Sequence, residues 1–398
     1  MRIVHINVNW GQGGPGSIAK DISDVLIRHG HQCLAAFGRA STEIGAEGYQ
    51  IDTWLELTIH TVLSRLFGNE GCYSWFATRR LIRKIERFQP DIVQLHTMLG
   101  HYINFKLLFG YLKKKRICTV WTIHDCSPFT GHCISFDRIQ CEKWMTHCHH
   151  CPLWKEYPYS FFFDKSSETY EARKKLYGSM DNLHIVVPSH WMGNMIAKSF
   201  LKERDRYVFH NGINLESFKP VQNDIREKYH LQGKTILLAV SNVWNEMKGF
   251  NVLLDLAALL DDSFALIVVG NKDESRVPER IISIPPVKCE DLVSWYSAAD
   301  IFINPTLGDN FPTVNIEALS CGTPVVTFDT GGSAEAAGDK CGCVVREKTA
   351  EGLYKKILEC RDRKITKEEC LERAESFSRG KTYLKYIELY EELLRGKE

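Results

Sequence analysis

Two runs of short apolar segments, each interleaved with amphipathic segments, constrain this chain more than any other feature. The first run reads as a strand near 2–8, a helix near 17–29, strands near 32–38 and 91–97, a helix near 103–115 and a strand near 117–124. The second begins at Thr235–Val240 and continues through a helix near 249–260, Phe264–Gly270, a helix near 289–299, Ile301–Pro305, a helix near 313–321 and Pro324–Phe328. Strands separated by helices cannot close as hairpins; they pair in parallel, with the helices as crossovers. The chain therefore reads as α/β, with two consecutive Rossmann-like domains over 1–207 and 208–378. With 44% of 398 residues hydrophobic, both halves have enough apolar side chain for a core. In the tail, 379–398, the helix Tyr383–Arg395 carries Tyr386, Leu389, Leu393 and Leu394 on one face and is expected to pack back on the N-terminal domain.

Charge and hydropathy exclude whole classes of function. Fifty Lys and Arg against 49 Asp and Glu leave a net charge of +1, too little for a field that holds nucleic acid by counterion release, so no nucleic-acid partner is expected. The longest apolar runs, such as Ile236–Val240 and Phe264–Val269, fall far short of the ~20 residues that span a bilayer. The N-terminus alternates into a Gly-rich turn instead of showing the regions of a cleavable signal, so a cytoplasmic protein is expected. In such a compartment fourteen cysteines point to reduced thiols or a metal site.

Three constellations could carry chemistry. Gly11-Gln12-Gly13-Gly14-Pro15-Gly16 stands between a strand and a helix, where glycines let backbone N–H groups approach an anion and the helix N-terminus favours it. A plain tight turn is the alternative. The spacing of Gly11, Gly13 and Gly16 also fits a dinucleotide fingerprint, but the acid expected at the end of the second strand is missing from Cys33–Arg39, which argues against hydride chemistry. Lys248-Gly249 follows the first strand of the second domain, where a lysine meets a phosphate as a point charge, or else is simply a solvated surface residue. In the stretch Asn304–Val326, Asp309 lies in a loop after a strand and Glu317 about one turn into the next helix. Carboxylates so placed suit sugar hydroxyls, while the helix N-terminus near Thr313 suits a diphosphate.

These motifs, together with His124-Asp125, Pro188-Ser189 and Asn211-Gly212-Ile213, make the chain resemble, over nearly its whole length, the retaining glycosyltransferases of family four, in particular the branch that builds bacterial capsular, colanic-acid-like and other exopolysaccharides. The resemblance implies the GT-B fold, two Rossmann-like parallel-sheet domains facing across a cleft. It implies that Glu317 binds the ribose hydroxyls of a nucleotide-sugar donor, Asp309 the donor sugar's hydroxyls and Lys248 the diphosphate. Phe311, Pro312, Thr313 and Val314 would line the donor site through their backbone, with Asn211 and the Gly13-Gly14 loop beside it, and His124 would face the donor sugar and acceptor. The sequence departs from the family at three points. Asp309 replaces the first Glu of the Glu, seven residues, Glu motif, Val243 stands where an Arg is common, and Asn214 ends the Asn-Gly-Ile/Val-Asp motif.

A further cluster comprises Cys133, Cys141, Cys148 and Cys151, with Cys126 and several histidines nearby. Cys148-x-x-Cys151 with two upstream thiols has spacings that a tetrahedral zinc can gather, which would organise an insertion over about 126–154; the alternatives are disulfides or unpaired buried thiols. No catalytic metal is expected. Apolar and aromatic stretches at Trp54–Phe67 and Tyr157–Phe163, with the basic Lys113–Arg116, suit a peripheral contact with the inner face of the plasma membrane; a core-facing helix with a cationic C-terminus explains the last equally well. The reading is thus a transfer of a hexosyl group from a nucleotide diphosphate sugar, a UDP-sugar foremost, to a lipid-linked saccharide acceptor with retention. The rivals are a GT-B sugar-nucleotide epimerase and a non-catalytic sugar-nucleotide or polysaccharide-binding protein.

Overall fold

A computed structural model describes residues 1–40 and 44–396. It divides into two compact units, Met1–Phe209 with Tyr383–Glu398, and His210–Thr382.

The first unit runs β1 (Arg2–Trp10), α1 (Gly13–Arg28), β2 (Gln32–Ala40), β3 (Glu47–Gln50), α2 (Trp54–Phe67), α3 (Trp75–Phe88), β4 (Ile92–Leu95), α4 (Phe105–Lys115), β5 (Cys118–Thr122), α5 (Ser166–Tyr177), β6 (Leu183–Val187), α6 (His190–Lys198) and β7 (Arg206–Val208). Its seven strands are ordered β3-β2-β1-β4-β5-β6-β7, and each pairing is parallel. The period-2 alternation of β1 sends Val4 and Ile6 into one core with Trp121, Phe109 and Tyr177, while Ile3 joins the opposite core with Ile22 and Leu26. The polar positions His5 and Asn7 are buried as well, so the alternation of β1 places polar side chains inside the fold and not on a solvent face.

Helix α1 starts at Gly13, four residues before the predicted start near 17, because Pro15 sits in the first turn, where its missing N–H leaves no bond unmade. Strand β3 gave no sequence signal: Glu-Gly-Tyr-Gln is a poor strand former, tolerated here because it is an exposed sheet edge paired only to β2.

The second unit comprises α7 (Ile225–Lys228), β8 (Thr235–Val243), α8 (Phe250–Leu259), β9 (Phe264–Asn271), β10 (Ile281–Ile284), α9 (Cys289–Ala298), β11 (Ile301–Asn304), α10 (Thr313–Ser320), β12 (Val325–Phe328), α11 (Ser333–Ala337), β13 (Gly342–Val345), α12 (Ala350–Asp362) and α13 (Lys367–Glu375). Its parallel sheet is ordered β10-β9-β8-β11-β12-β13. Leu237 and Ala239 face one apolar cluster, Ile236 and Leu238 the other, so helices cover both faces here too. Both units thus have the doubly wound architecture of the GT-B fold.

The last helix, α14 (Arg379–Arg395), begins four residues before Tyr383. Its first turn stays with the second unit, where the Arg379 N–H donates to the Ile213 carbonyl at 2.9 Å. From Tyr383 on it packs in the first unit: Tyr390 Oη donates to Gln94 Oε1 at 2.7 Å, and Tyr386 Oη lies 3.0 Å from Thr122 Oγ1, both buried. The unit boundaries therefore fall at 209/210 and 382/383, two and four residues beyond 207 and 378. Among the described residues no helix is long and apolar enough to cross a membrane.

Candidate functional site

In the second unit the strand order reverses between β8 and β11, which pair through Ile301↔Leu237 and Phe302↔Leu238. Loops leaving the carboxyl ends of two such strands diverge to opposite faces and leave a crevice, the usual ligand position in an open α/β sheet. Lys248 lies in the loop after β8 and Asp309 in the loop after β11.

Backbone contacts draw the two loops together. The Leu307 N–H donates to the Met247 carbonyl at 2.7 Å, and Thr306 Oγ1 donates to the same carbonyl at 3.3 Å. Gly249 has φ +77°, and a Cβ there would overlap the Pro305 carbonyl oxygen, so this approach requires glycine. Lys248 Nζ consequently reaches Asp309 Oδ2 at 2.8 Å, with both side chains half-buried. Asp309 Oδ1 accepts from the Phe311 N–H at 3.3 Å, and Asn211 Nδ2 donates to the Phe311 carbonyl at 3.3 Å. Pro312 is the N-cap of α10. It offers no side-chain cap, and the first turn from Thr313 and Val314 holds no acid, so the positive end of the helix dipole is left for a ligand.

Glu317 faces inward from the same helix. The Tyr296 hydroxyl, fully buried, donates to Glu317 Oε2 at 2.9 Å. Burial pushes the carboxyl above its ordinary range, and hydrogen bonds from Tyr296 and Thr313 oppose this. Lys248, Asp309, Phe311 and Asn211 are thus linked contact to contact, whereas Glu317 is held separately by Tyr296. Val243 is 55% exposed at the end of β8 and supplies no second cation.

In the first unit the order reverses between β1 and β4. The turn after β1 leads through Gly13 and Gly14 into α1, whose N-cap Gln12 makes no side-chain cap bond and whose first turn has no acid. A Cβ at Gly13 or Gly14 would meet open space, so these glycines leave the backbone exposed. His124 follows β5. Its Nε2 lies 3.2 Å from His96 Nδ1, with the rings stacked at 5.5 Å, and His96 stacks in turn on His5 at 5.8 Å. Burial lowers His124 to about 4 and His5 to about 3, so both rings are neutral near pH 7.

The four cysteines pack on the core of the first unit, Cys133 and Cys148 buried, Cys141 and Cys151 half-buried. Each sulfur lies within electrostatic range of the other three. Among the described residues of this unit, His60, Glu70 and His101 form a three-ligand group whose atoms stand within 4.8 Å of one another, and no three of these sulfurs do.

Sequence reasoning missed several site residues. Tyr296 reads as one more apolar position of α9 and carries no motif. Thr330 and Ser333 lie in the turn between β12 and α11, which touches the Asp309 loop through a bond from the Gly332 N–H to the Asn310 carbonyl at 3.1 Å. Both hydroxyls are buried without a hydrogen-bond partner among the described residues. Their signal was available in Thr330-Gly331-Gly332-Ser333, a Gly-rich strand-to-helix turn.

Comparison with known proteins agrees with this geometry. Residues 12–217, more than half of the chain, match the family model described as Glycosyltransferase Family 4, and residues 234–362 match the one described as Glycosyl transferases group 1. The chain is 24% identical over 365 residues to the putative colanic acid biosynthesis glycosyl transferase WcaC of Escherichia coli K12, covering 87% of this chain and 88% of that protein. Among solved structures it is similar to the sucrose-phosphate synthase of Thermosynechococcus elongatus (TM-score 0.71, 16% identity, 99% of each chain). It is also similar to Anabaena Alr3699/HepE in complex with UDP-glucose (TM-score 0.69, 14% identity, 98% of this chain and 100% of that one). The two doubly wound units, the paired lysine and aspartate at a sheet's reversal point and the family match lead to one conclusion: this chain belongs to the glycosyltransferases of family 4.

Proposed function

We propose that this enzyme transfers a hexosyl group, with retention, from a UDP-sugar to a lipid-linked saccharide acceptor in bacterial surface polysaccharide synthesis. The observation that carries this reading is the Lys248–Asp309 pair at 2.8 Å, set beside the uncapped N-terminus of α10. A cation and a helix N-terminus suit the two phosphates of the donor, and an adjacent carboxylate suits the hydroxyls of its sugar. The similar HepE structure is a complex with UDP-glucose, and the similar WcaC is named for colanic acid biosynthesis; both support this reading.

In this reading Lys248 meets the charge that grows on the diphosphate as the C1–O bond breaks. The acceptor hydroxyl forms its bond to C1 on the same face, and its proton passes to the departing phosphate oxygen, so no protein nucleophile or separate base takes part. Asp309 holds the sugar hydroxyls and Glu317, braced by Tyr296, the ribose hydroxyls. The backbone of Phe311–Val314 and the Asn211 amide line the donor. Within the first unit, Gly13 and Gly14 offer backbone amides to anionic oxygen, and the neutral His124 offers a hydrogen-bonding ring for a hydroxyl.

A lipid-linked acceptor suits an enzyme resting on the inner face of the plasma membrane. The first unit exposes Trp54, Leu55, Ile59 and Val62 along α2, joined to Phe161–Phe163 through a bond from the Phe161 N–H to the Arg65 carbonyl at 2.8 Å. Apolar residues beside Arg65 suit an anionic lipid surface.

Incubation with radiolabelled nucleotide sugars and a membrane extract tests the proposal. Label in extractable glycolipid, with the anomeric configuration of the donor, is expected. Altered free sugar nucleotide would indicate an epimerase instead. Binding without turnover, the reading favoured by the exposed Val243 where a second cation is common, would indicate a binding protein.

A further inference from the structure

Between β5 and α5 the chain runs 43 residues, 123–165, and its regular structure there is three 3-10 turns, Ser127–Phe129, Asp137–Ile139 and Lys143–Met145. So long an irregular segment within a compact domain needs something other than a ladder of backbone hydrogen bonds to order it. Its cysteines occupy the points where it folds on itself. The Cys126 N–H donates to the Ile134 carbonyl at 2.9 Å and Thr130 Oγ1 to the Cys133 carbonyl at 2.7 Å, closing a loop that ends at Cys133. Trp144, packed against Phe136 and Phe129, donates from Nε1 to the Cys141 carbonyl at 2.8 Å.

The Cys148–Cys151 turn is held as a knuckle. His150 is left-handed at φ +44°, and Lys143 Nζ donates to the carbonyls of His149 and His150, each at 3.1 Å. The Cys151 N–H donates to Asp164 Oδ2 at 2.7 Å. The Gly131 N–H points at Cys148 Sγ from 3.2 Å, and a Cβ on Gly131 would overlap the Ser166 carbonyl oxygen, so only glycine lets this strand of the loop approach the sulfur. An amide donating to sulfur is the outer-shell bond that orients a metal-bound thiolate.

We propose that Cys133, Cys141, Cys148 and Cys151 bind one structural zinc ion. Four thiolates at about 2.3 Å from the metal form a closed tetrahedral site with no open position, hence no catalytic role. Among the described residues no three of the four sulfurs stand within 4.8 Å of one another, so binding has to draw them together through the irregular loops that join them. Cys126, at the far end of the loop that closes on Cys133 and more deeply buried than any of the four, stays outside the shell. What the metal fixes is the segment that starts directly after His124-Asp125. Arg173 of α5 ties the same segment from the other side, donating from Nη1 to the carbonyls of Ser127 at 2.6 Å and Thr130 at 3.0 Å.

The test uses the full chain, purified without chelator and with its thiols reduced, and reads metal content independently of activity. About one zinc per chain is expected, lost in Cys148→Ser and Cys151→Ser and kept in Cys126→Ser. Should the serine variants fail to fold, the wild-type protein exchanged into cobalt provides the second reading, with intense tetrahedral d–d bands and thiolate-to-cobalt charge transfer expected. Less than ~0.2 zinc per chain overturns the proposal, given the tight binding of such sites. So does cobalt without thiolate bands, a disulfide among the four cysteines under non-reducing mass spectrometry, or zinc that survives Cys148→Ser but leaves with His60→Ala, which would put the metal at His60, Glu70 and His101.

Discussion

Replacing Lys248 by alanine separates the two things its charge can do. Without a ligand it pairs with Asp309 at 2.8 Å, but the two side chains are 35% and 23% exposed, and an ion pair so open to solvent contributes about 1 kcal/mol at most. The variant should therefore unfold within about 2–4 °C of the wild type. Turnover is different. In the proposed transfer, negative charge grows on the phosphate as the bond from the sugar to the diphosphate breaks, and losing a preorganised group aimed at such charge costs about 2.7–4 kcal/mol, or roughly 100- to 1000-fold in kcat. Val243, exposed where a second cation would stand, offers no substitute, so the upper part of that range is expected. Nucleotide affinity, which senses only ground-state charge, should fall less than kcat. The assay pairs initial rates of nucleoside diphosphate release at saturating donor with calorimetric nucleotide binding and a thermal melt. A kcat within threefold of wild type removes Lys248 from the leaving-group role. An equal loss in affinity and turnover would show uniform binding instead.

Glu317→Ala should weaken nucleotide binding by about 2–4 kcal/mol, because the buried Tyr296 hydroxyl loses its acceptor together with the ligand's hydroxyls; unchanged calorimetric affinity in a folded variant refutes the assignment. Since burial raises the Glu317 carboxyl, nucleotide affinity should decline, as pH is lowered, at a higher pH than for an ordinary glutamate, and Glu317→Gln should abolish that decline. Gly249→Ala should destabilise the protein by about 2–4 kcal/mol, combining left-handed backbone with the overlap on the Pro305 carbonyl, measured by chemical unfolding. His5 and His60, fully buried and lowered to about 3 and about 4, are neutral when folded but bind protons below about 6.5 when unfolded, so stability should fall with pH below 6.5 by about 2 kcal/mol each at pH 5. Asp52, raised to about 6, binds its proton more readily folded and opposes this by about 1.4 kcal/mol at pH 5. A melt flat between pH 7 and 5 contradicts the buried neutral histidines.

The sequence made the centre of each sheet legible and its edges obscure, for a physical reason. Central strands carry short buried apolar runs, Ile3-Val4 in β1 and Ile236–Ala239 in β8, a pattern that survives without tertiary information. Edge strands such as β3 and the three-residue β7 carry Glu, Gly, Arg and Tyr, whose strand state is imposed by a neighbour's unpaired backbone. Helix ends followed the same logic. Pro15 permits an earlier start to α1 than periodicity suggests, and the first turn of α14 is held by Ile213, far away in sequence.

The site divides in a comparable way. Lys248, Asp309 and Glu317 could be singled out because spacing along one chain places the first after one strand of a parallel sheet and the other two after another. Their pairing could not, since it depends on β8 and β11 being neighbours, with fifty-seven residues and two further strands lying between them in sequence. A chain whose strands were ordered consecutively would put Lys248 and Asp309 on separate edges, with the same motifs and no shared crevice. What joins them is the reversal of strand order, and it acts through backbone: the carbonyl of Met247 takes bonds from Leu307 and Thr306, and Gly249 clears the space against Pro305. Of the side chains that make the site polar, Tyr296 has no local signature to read, while Thr330 and Ser333 sit in a Gly-rich turn whose place beside the Asp309 loop only the fold supplies.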